Sequence, residues 1–193
     1  MYDAVIIGAG VIGCAVAQRL GEYTGTYAVL EARGDVSCGA SKANSGIVHA
    51  GYDAKPGTEK ARLNVKGARM MPGLARRLGV PYGQPGALVL GFDEADRHTL
   101  GALLDSARLN KVEGCRILER GDILRLEPNI NKEVLCALEV PGSGLVGPYE
   151  LTHALADSAA NERERATLTA LDAVGRFHGE RDLDGAVELV VAA

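Results

Sequence analysis

Tyr2-Asp-Ala-Val-Ile-Ile7-Gly8-Ala-Gly10-Val-Ile-Gly13 opens the chain, and its reading decides the fold. The apolar run through Ile7 has the character of a buried parallel strand. Three glycines follow, then a helical segment from Val11 to Glu22, and then a second apolar run, Tyr27-Ala-Val-Leu30, that ends on Glu31. Glu31 stands 18 residues past Gly13, close to the spacing of roughly 20 that a dinucleotide fold requires. Each part has a physical task. Gly8 allows the sharp turn out of the strand, Gly10 lets backbone approach a pyrophosphate, and Gly13 lets the helix lie close on the sheet. The helix N-terminus offers N–H groups and a positive dipole end to phosphates. Glu31 can accept hydrogen bonds from a ribose diol. Glycines alone are weak evidence; the order strand, turn, helix, strand and acid points to a nucleotide site.

Composition narrows the class. A chain of 193 residues with 47% apolar content can bury a proper core in one domain or one and a half. The net charge of −4, with no basic cluster and no aromatic platform, argues against a nucleic-acid partner. Cys14, Cys38, Cys115 and Cys136 are scattered without a C-x-x-C pair, so they read as reduced thiols and not as a metal site. The first strand starts at once, which leaves no leader pattern. No apolar run is long enough to form a transmembrane segment. The expectation is a soluble, cytoplasmic protein.

Beyond Glu31 the segment Arg33 to Gly46 is small and polar, and reads as a loop over the surface or across a ligand. Pro56-Gly57 signals a turn, after which Thr58 can cap a helix running to Met70 with Ala61, Leu63 and Val65 as its apolar candidates. Pro72-Gly73 is expected to interrupt that helix, with another turn or two from Leu74 to Leu78. Ala87 to Phe92 reads as a strand. Asp93 and Asp96 form a capping pair for a helix whose Leu100, Leu103, Leu104 and Ala107 share one face. Cys115 to Leu118 and Val134 to Val140 read as strands, with a short helix from Asp122 to Leu126 between them. A helix starts at Gly147-Pro148 and carries Leu151, Leu155 and Ala159. Thr167 to Leu171 and Ala186 to Ala192 are strand candidates, joined by a polar stretch, Gly175 to Gly185, that suits a hairpin.

Residues 44–67 add a specific signal. Asn44-Ser-Gly-Ile-Val-His-Ala-Gly-Tyr-Asp53, Lys55-Pro-Gly57 and Lys60-Ala-Arg-Leu-Asn-Val-Lys-Gly67 resemble the bacterial FAD-dependent glycerol-3-phosphate dehydrogenases. These belong to the D-amino-acid oxidase-like flavoproteins, and the L-2-hydroxyglutarate dehydrogenases share a similar pattern. Gly86-Ala-Leu-Val-Leu90, Leu126-Glu-Pro128 and Gly144-Leu-Val-Gly-Pro-Tyr-Glu-Leu-Thr152 extend the resemblance over roughly residues 1–160.

The resemblance implies an α/β fold: a Rossmann-like FAD-binding domain with a parallel sheet, plus an inserted α+β substrate (cap) domain, C-terminally truncated. The implied domains are 1–78 (first part of the FAD-binding domain), 79–149 (inserted cap) and 150–193 (return to the FAD-binding domain). It makes the cofactor FAD. Gly8, Gly10 and Gly13 would cradle the pyrophosphate, Glu31 the adenosine ribose, and Arg33 would lie near the adenine. Ser41 would reach the phosphates, Asn44, Ser45 and Gly46 would pass along the flavin, and His49 would sit beside the isoalloxazine.

A secondary alcohol loses hydride from carbon and a proton from oxygen, and a histidine suits the proton transfer. The implied activity is hydride transfer from glycerol 3-phosphate, or from a 2-hydroxy acid of the L-2-hydroxyglutarate type, to flavin N5. A non-catalytic FAD-binding fragment and an NAD-dependent protein are the competing readings. The family's electron acceptors include quinones and partner subunits, which adds peripheral placement at the inner face of a membrane to the expectations. His98, His153 and His178 lack a partner pattern and read as structural. Lys42, Lys55 and Lys60 read as solvated surface charge.

Overall fold

The computed structural model describes residues 2–161, 169–171 and 187–192. Two compact units emerge: Met1–Gly46, Ala75–Pro81 and Gly147–Ala193 form the first, and Ile47–Leu74 with Tyr82–Val146 the second.

The first unit is built on a parallel sheet. Strand β1 (Ala4–Ile7) leads through the glycine turn into helix α1 (Val11–Leu20) and back to β2 (Tyr27–Glu31). The sheet order is β1-β2-β10-β9, with β9 at Thr169–Leu171 and β10 at Val187–Ala192. Ala4 pairs with Tyr27 and Ile7 with Leu30, while Val187 to Val191 run beside Tyr27 to Glu31. Tyr27, Ala28 and Val29 are buried in this central strand. Helix α5 (Pro148–Asn161) packs on α1, burying Leu151, Leu155 and Ala159. Val5, Ile7, Ile12 and Val16 are exposed on β1 and α1.

The second unit holds two antiparallel sheets. One is β3 (Ile47–Val48), β8 (Gly144–Val146) and β4 (Tyr82–Gly83), in that order. The other is β5 (Ala87–Gly91), β7 (Cys136–Val140) and β6 (Arg116–Glu119). Strand alternation divides the second sheet's side chains. Leu138 and Val140 pack with Leu100 and Leu104 of helix α3 (Glu94–Leu109). Ala137 packs with Leu118 and Val134 around Ile123 of helix α4 (Arg120–Leu126). The capping pair forms as the spacing predicts. Asp93 accepts from the Asp96 N–H at 2.8 Å, and the Asp96 carboxylate accepts from the Phe92 N–H at 2.8 Å.

Three expectations are corrected. Helix α2 runs unbroken from Glu59 to Leu78 with Pro72 inside it. Proline removes one i→i−4 bond but does not forbid a helix whose flanking turns are already formed. In that helix Ala61 and Val65 turn inward, four residues apart, while Leu63 is exposed. Thr58 caps the start as anticipated, its hydroxyl accepting from the Ala61 N–H at 3.3 Å and donating to the Lys55 carbonyl at 2.7 Å. Finally, β9 and β10 pair in parallel, Thr169 opposite Val190, which a hairpin cannot produce because a tight turn reverses the chain. The connection proposed at Gly175 to Gly185 itself lies outside the described residues.

Candidate functional site

The glycine turn is held tightly in the first unit. Gly8 has φ +98°, and its N–H donates to the Leu30 carbonyl at 2.7 Å. Only a residue without a side chain takes that conformation cheaply. A Cβ on Gly13 would lie 3.1 Å from the Gly8 carbonyl carbon and overlap its oxygen, so helix and turn are in direct backbone contact. Gly10, the N-cap of α1, brings no side-chain cap, and the first turn carries no acid.

Ser41 completes this end of the helix. Its Oγ accepts from the Val11 N–H at 2.9 Å and would lie 3.1 Å from a Cβ on Gly10. A residue 30 positions downstream thus supplies the cap that Gly10 lacks. The hydroxyl proton remains a donor of the kind a phosphate oxygen accepts.

Glu31 is engaged at both oxygens. Oε2 accepts from the Ala9 N–H at 2.7 Å and Oε1 from the Arg33 N–H at 3.0 Å. The acid at the end of β2 therefore also fixes the turn after β1. Cys14 is fully buried beneath this turn, with Sγ 3.4 Å from the Ala9 carbonyl. Burial first, and the nearby Glu31 carboxylate second, push its thiol up to about 11, so it stays protonated and packs as a small apolar group.

The loop from Arg33 to Gly46 is organised by Asn44. Its Nδ2 donates to the carbonyls of Ala40 (3.1 Å) and Ser41 (2.9 Å), and its Oδ1 accepts from the Gly46 N–H at 2.8 Å. Arg33 and Ser45 are exposed, and Gly46 is buried with φ +69°. On α5, the Tyr149 and His153 rings lie 4.1 Å apart, and His153 Nε2 is 3.9 Å from Asp35 Oδ2. Lys42 Nζ sits 5.8 Å from the Tyr149 ring centre. Burial, with Asp35 next, raises the Tyr149 phenol. Tyr149 and His153 are neighbours four residues apart on the helix, whereas Asp35 and Lys42 reach them only through the approach of the loop.

His49 belongs to the second unit, directly after β3. It is exposed between the buried Val48 and Ala50, with the Tyr52 ring 6.4 Å away. Burial, and then Asp53, raise the Tyr52 hydroxyl. Two clefts of about 580 and 520 Å³ open elsewhere in this unit, the first beside Ala50, Val65 and Arg69, the second beside Leu88, Leu90 and Ile130; His49 lines neither. Among the described residues no group of His, Cys, Asp and Glu could hold a metal ion, and no helix is long and apolar enough to cross a membrane.

A helix start whose N-cap is a glycine, an acid-free first turn, a turn that excludes side chains and the Ser41 hydroxyl at the helix end together define a dinucleotide-binding protein, and these residues fit an FAD pyrophosphate. Residues 3–193 match the model of the FAD dependent oxidoreductase (DAO) family, and the chain belongs to that family, whose cofactor is FAD. It is 46% identical over 159 residues to a glycerol 3-phosphate dehydrogenase of Caloramator mitchellensis, covering 82% of this chain and 33% of that protein. It is 32% identical over 147 residues to the mitochondrial L-2-hydroxyglutarate dehydrogenase of Pongo abelii, covering 75% of this chain and 35% of the relative. The structure of L-α-glycerophosphate oxidase from Mycoplasma pneumoniae, dithionite-reduced with FAD bound, superposes with a TM-score of 0.80 at 26% identity. It covers all of this chain and 53% of its own. The chain thus spans from a third to about half the length of these proteins.

Proposed function

We propose that this chain carries the cofactor-binding part of an FAD-dependent dehydrogenase that oxidises glycerol 3-phosphate. The observation that carries the reading is the 46% identity to a glycerol 3-phosphate dehydrogenase, against 32% to the L-2-hydroxyglutarate enzyme. That second relative supports a 2-hydroxy acid as the alternative substrate.

In this reading the first unit holds FAD and the second receives the substrate. Gly8, Gly10, Gly13 and Ser41 bind the pyrophosphate, Glu31 the ribose, and Arg33 lies toward the adenine. Asn44, Ser45 and Gly46 shape the backbone along the flavin. FAD, when bound, would supply the redox chemistry as the hydride acceptor. His49 takes the hydroxyl proton of the alcohol as its carbon gives up hydride and becomes a ketone. The balance is one hydride and one proton lost per alcohol oxidised. Electron delivery onward to a quinone or a partner subunit, and placement at the inner face of a membrane, are part of the same proposal.

The test is the visible spectrum of the purified chain after FAD is added and the excess removed. Retained oxidised-flavin bands that bleach anaerobically with glycerol 3-phosphate support the enzyme. Bleaching by L-2-hydroxyglutarate alone moves the assignment to the alternative substrate. Retained flavin that neither compound bleaches marks a binding unit without turnover.

A further inference from the structure

We infer that Asn110 is the positioning residue for His49, acting through the backbone carbonyls of the loop that follows it. The inference rests on the proposed role of His49 as the proton acceptor.

The starting point is how α3 ends. Asn110 is its C-cap; Lys111 follows with φ +59°, and the Lys111 and Val112 N–H groups donate to the carbonyls of Arg108 (3.0 Å) and Ala107 (2.9 Å). This paired bonding with a left-handed residue past the cap is the Schellman arrangement. Lysine has no intrinsic liking for that conformation. It is held there by Val112, which packs on the core of this unit, and by Arg69, whose Nη2 donates to the Lys111 carbonyl at 2.9 Å. The consequence is that Asn110 has a fixed backbone in a half-buried place.

From there its amide reaches across the chain. Nδ2 donates to the carbonyl of Gly51 at 2.8 Å and to that of Ala54 at 2.7 Å, 59 and 56 residues away. Both partners are carbonyl oxygens, so only the NH₂ end of the amide can face them, and both of its protons are used. The loop that it grips is otherwise short of regular structure. Gly51 has φ +98° and would place a Cβ 2.6 Å from Val65 Cγ2, so its backbone is pressed against α2. Ala50 and Ala54 are buried.

His49 stands immediately before this clamped segment. On its other side Val48 is fixed in β3 opposite Gly144. The imidazole is exposed, yet the backbone carrying it is held from both directions: by the sheet before it and, two residues after it, by the Asn110 amide. An exposed side chain on a rigid base is what a proton acceptor needs, since small displacements from reacting geometry cost large factors in rate.

The experiment follows histidine imidazole signals by NMR in the 193-residue chain labelled at its four histidines, with His49→Ala to assign the His49 peak. In Asn110→Ala the His49 peak is expected to broaden or split while His98, near the start of the same helix, stays in place. An unmoved His49 peak overturns the inference. Parallel movement of His98 overturns it too, since that reports damage to α3 as a whole. With FAD and glycerol 3-phosphate, Asn110→Ala is expected to slow anaerobic bleaching about tenfold or more with flavin affinity unchanged. The base role of His49 fails separately: bleaching that is unaltered in His49→Ala removes that role and leaves the NMR result on the clamp intact.

Discussion

Gly13 and the carbonyl of Gly8 are in backbone contact, with no room for even a methyl group between them. The first turn of α1 is therefore seated directly on the turn out of β1. In Gly13→Ala the helix must move away from the strand by the thickness of a side chain. The expected cost is about 1–3 kcal/mol of stability, the range for overpacking a close contact, together with loss of FAD retention after desalting. A melting temperature and a flavin occupancy equal to those of the parent would show that the contact is not required.

Glu31 ties the glycine turn to the segment after β2 by accepting from the N–H groups of Ala9 and Arg33. Hydrogen bonds to a charged acceptor contribute about 1.5–3 kcal/mol each. Glu31→Ala is expected to weaken FAD binding by about tenfold or more, read as the Kd from flavin fluorescence quenching. Glu31→Gln keeps one carbonyl acceptor and should fall between the two. Equal Kd values in all three proteins would assign the acid a purely local role in the loop.

His49→Ala tests the proton transfer. The expected result is full flavin retention and an anaerobic reduction rate lower by about 100-fold, the lower end of the range for a lost general base. Substrate bleaching at the parental rate would take His49 out of the reaction.

The legible part of the molecule is the part whose physics is local. Ala4 to Glu31 could be read residue by residue because strand, glycine turn, helix and second strand follow one another in sequence and in space. Asp93 and Asp96 were legible for the same reason. The strands of two or three residues, Ile47–Val48, Tyr82–Gly83 and Gly144–Val146, carry too little periodicity to announce themselves. They exist because Ile47 finds Leu145 and Tyr82 finds Val146 from far along the chain. Pro72 misled because its penalty, a lost hydrogen bond and a ring set against the carbonyl four residues earlier, is one that a helix of 20 residues can absorb. In the site, Ser41 was named only through the family resemblance, and no local rule tied its hydroxyl to the Val11 N–H thirty residues earlier. Asn110 was not legible at all, since no short-range rule ties an asparagine at the end of α3 to carbonyls more than fifty residues earlier.

Ser37 carries two costs at once. It is fully buried, its φ is +62°, and its hydroxyl has no hydrogen-bond partner among the described residues. Its N–H donates to the Ala9 carbonyl at 2.9 Å, which explains why the backbone is held there. Ser37→Ala keeps that backbone bond and removes the unpartnered hydroxyl, so stability should rise by about 1 kcal/mol. Thermal unfolding decides it: a lower midpoint for the variant would mean that the hydroxyl is satisfied in solution.

Lys111 separates backbone strain from side-chain grip at the end of α3. Its left-handed backbone costs a residue with a Cβ roughly 1–2 kcal/mol. Glycine takes the same conformation freely but loses more entropy on folding, by about 0.5–1 kcal/mol. The first effect is the larger, so Lys111→Gly should stabilise the chain by about 1 kcal/mol or slightly less. Arg69 donates to the Lys111 carbonyl, a backbone atom that glycine retains, so that bond survives the change. The Asn110 amide should keep its grip on Gly51 and Ala54, and FAD reduction should proceed at the parental rate. A variant that melts earlier would mean that the lysine side chain, and not the Schellman backbone, holds the helix end in place.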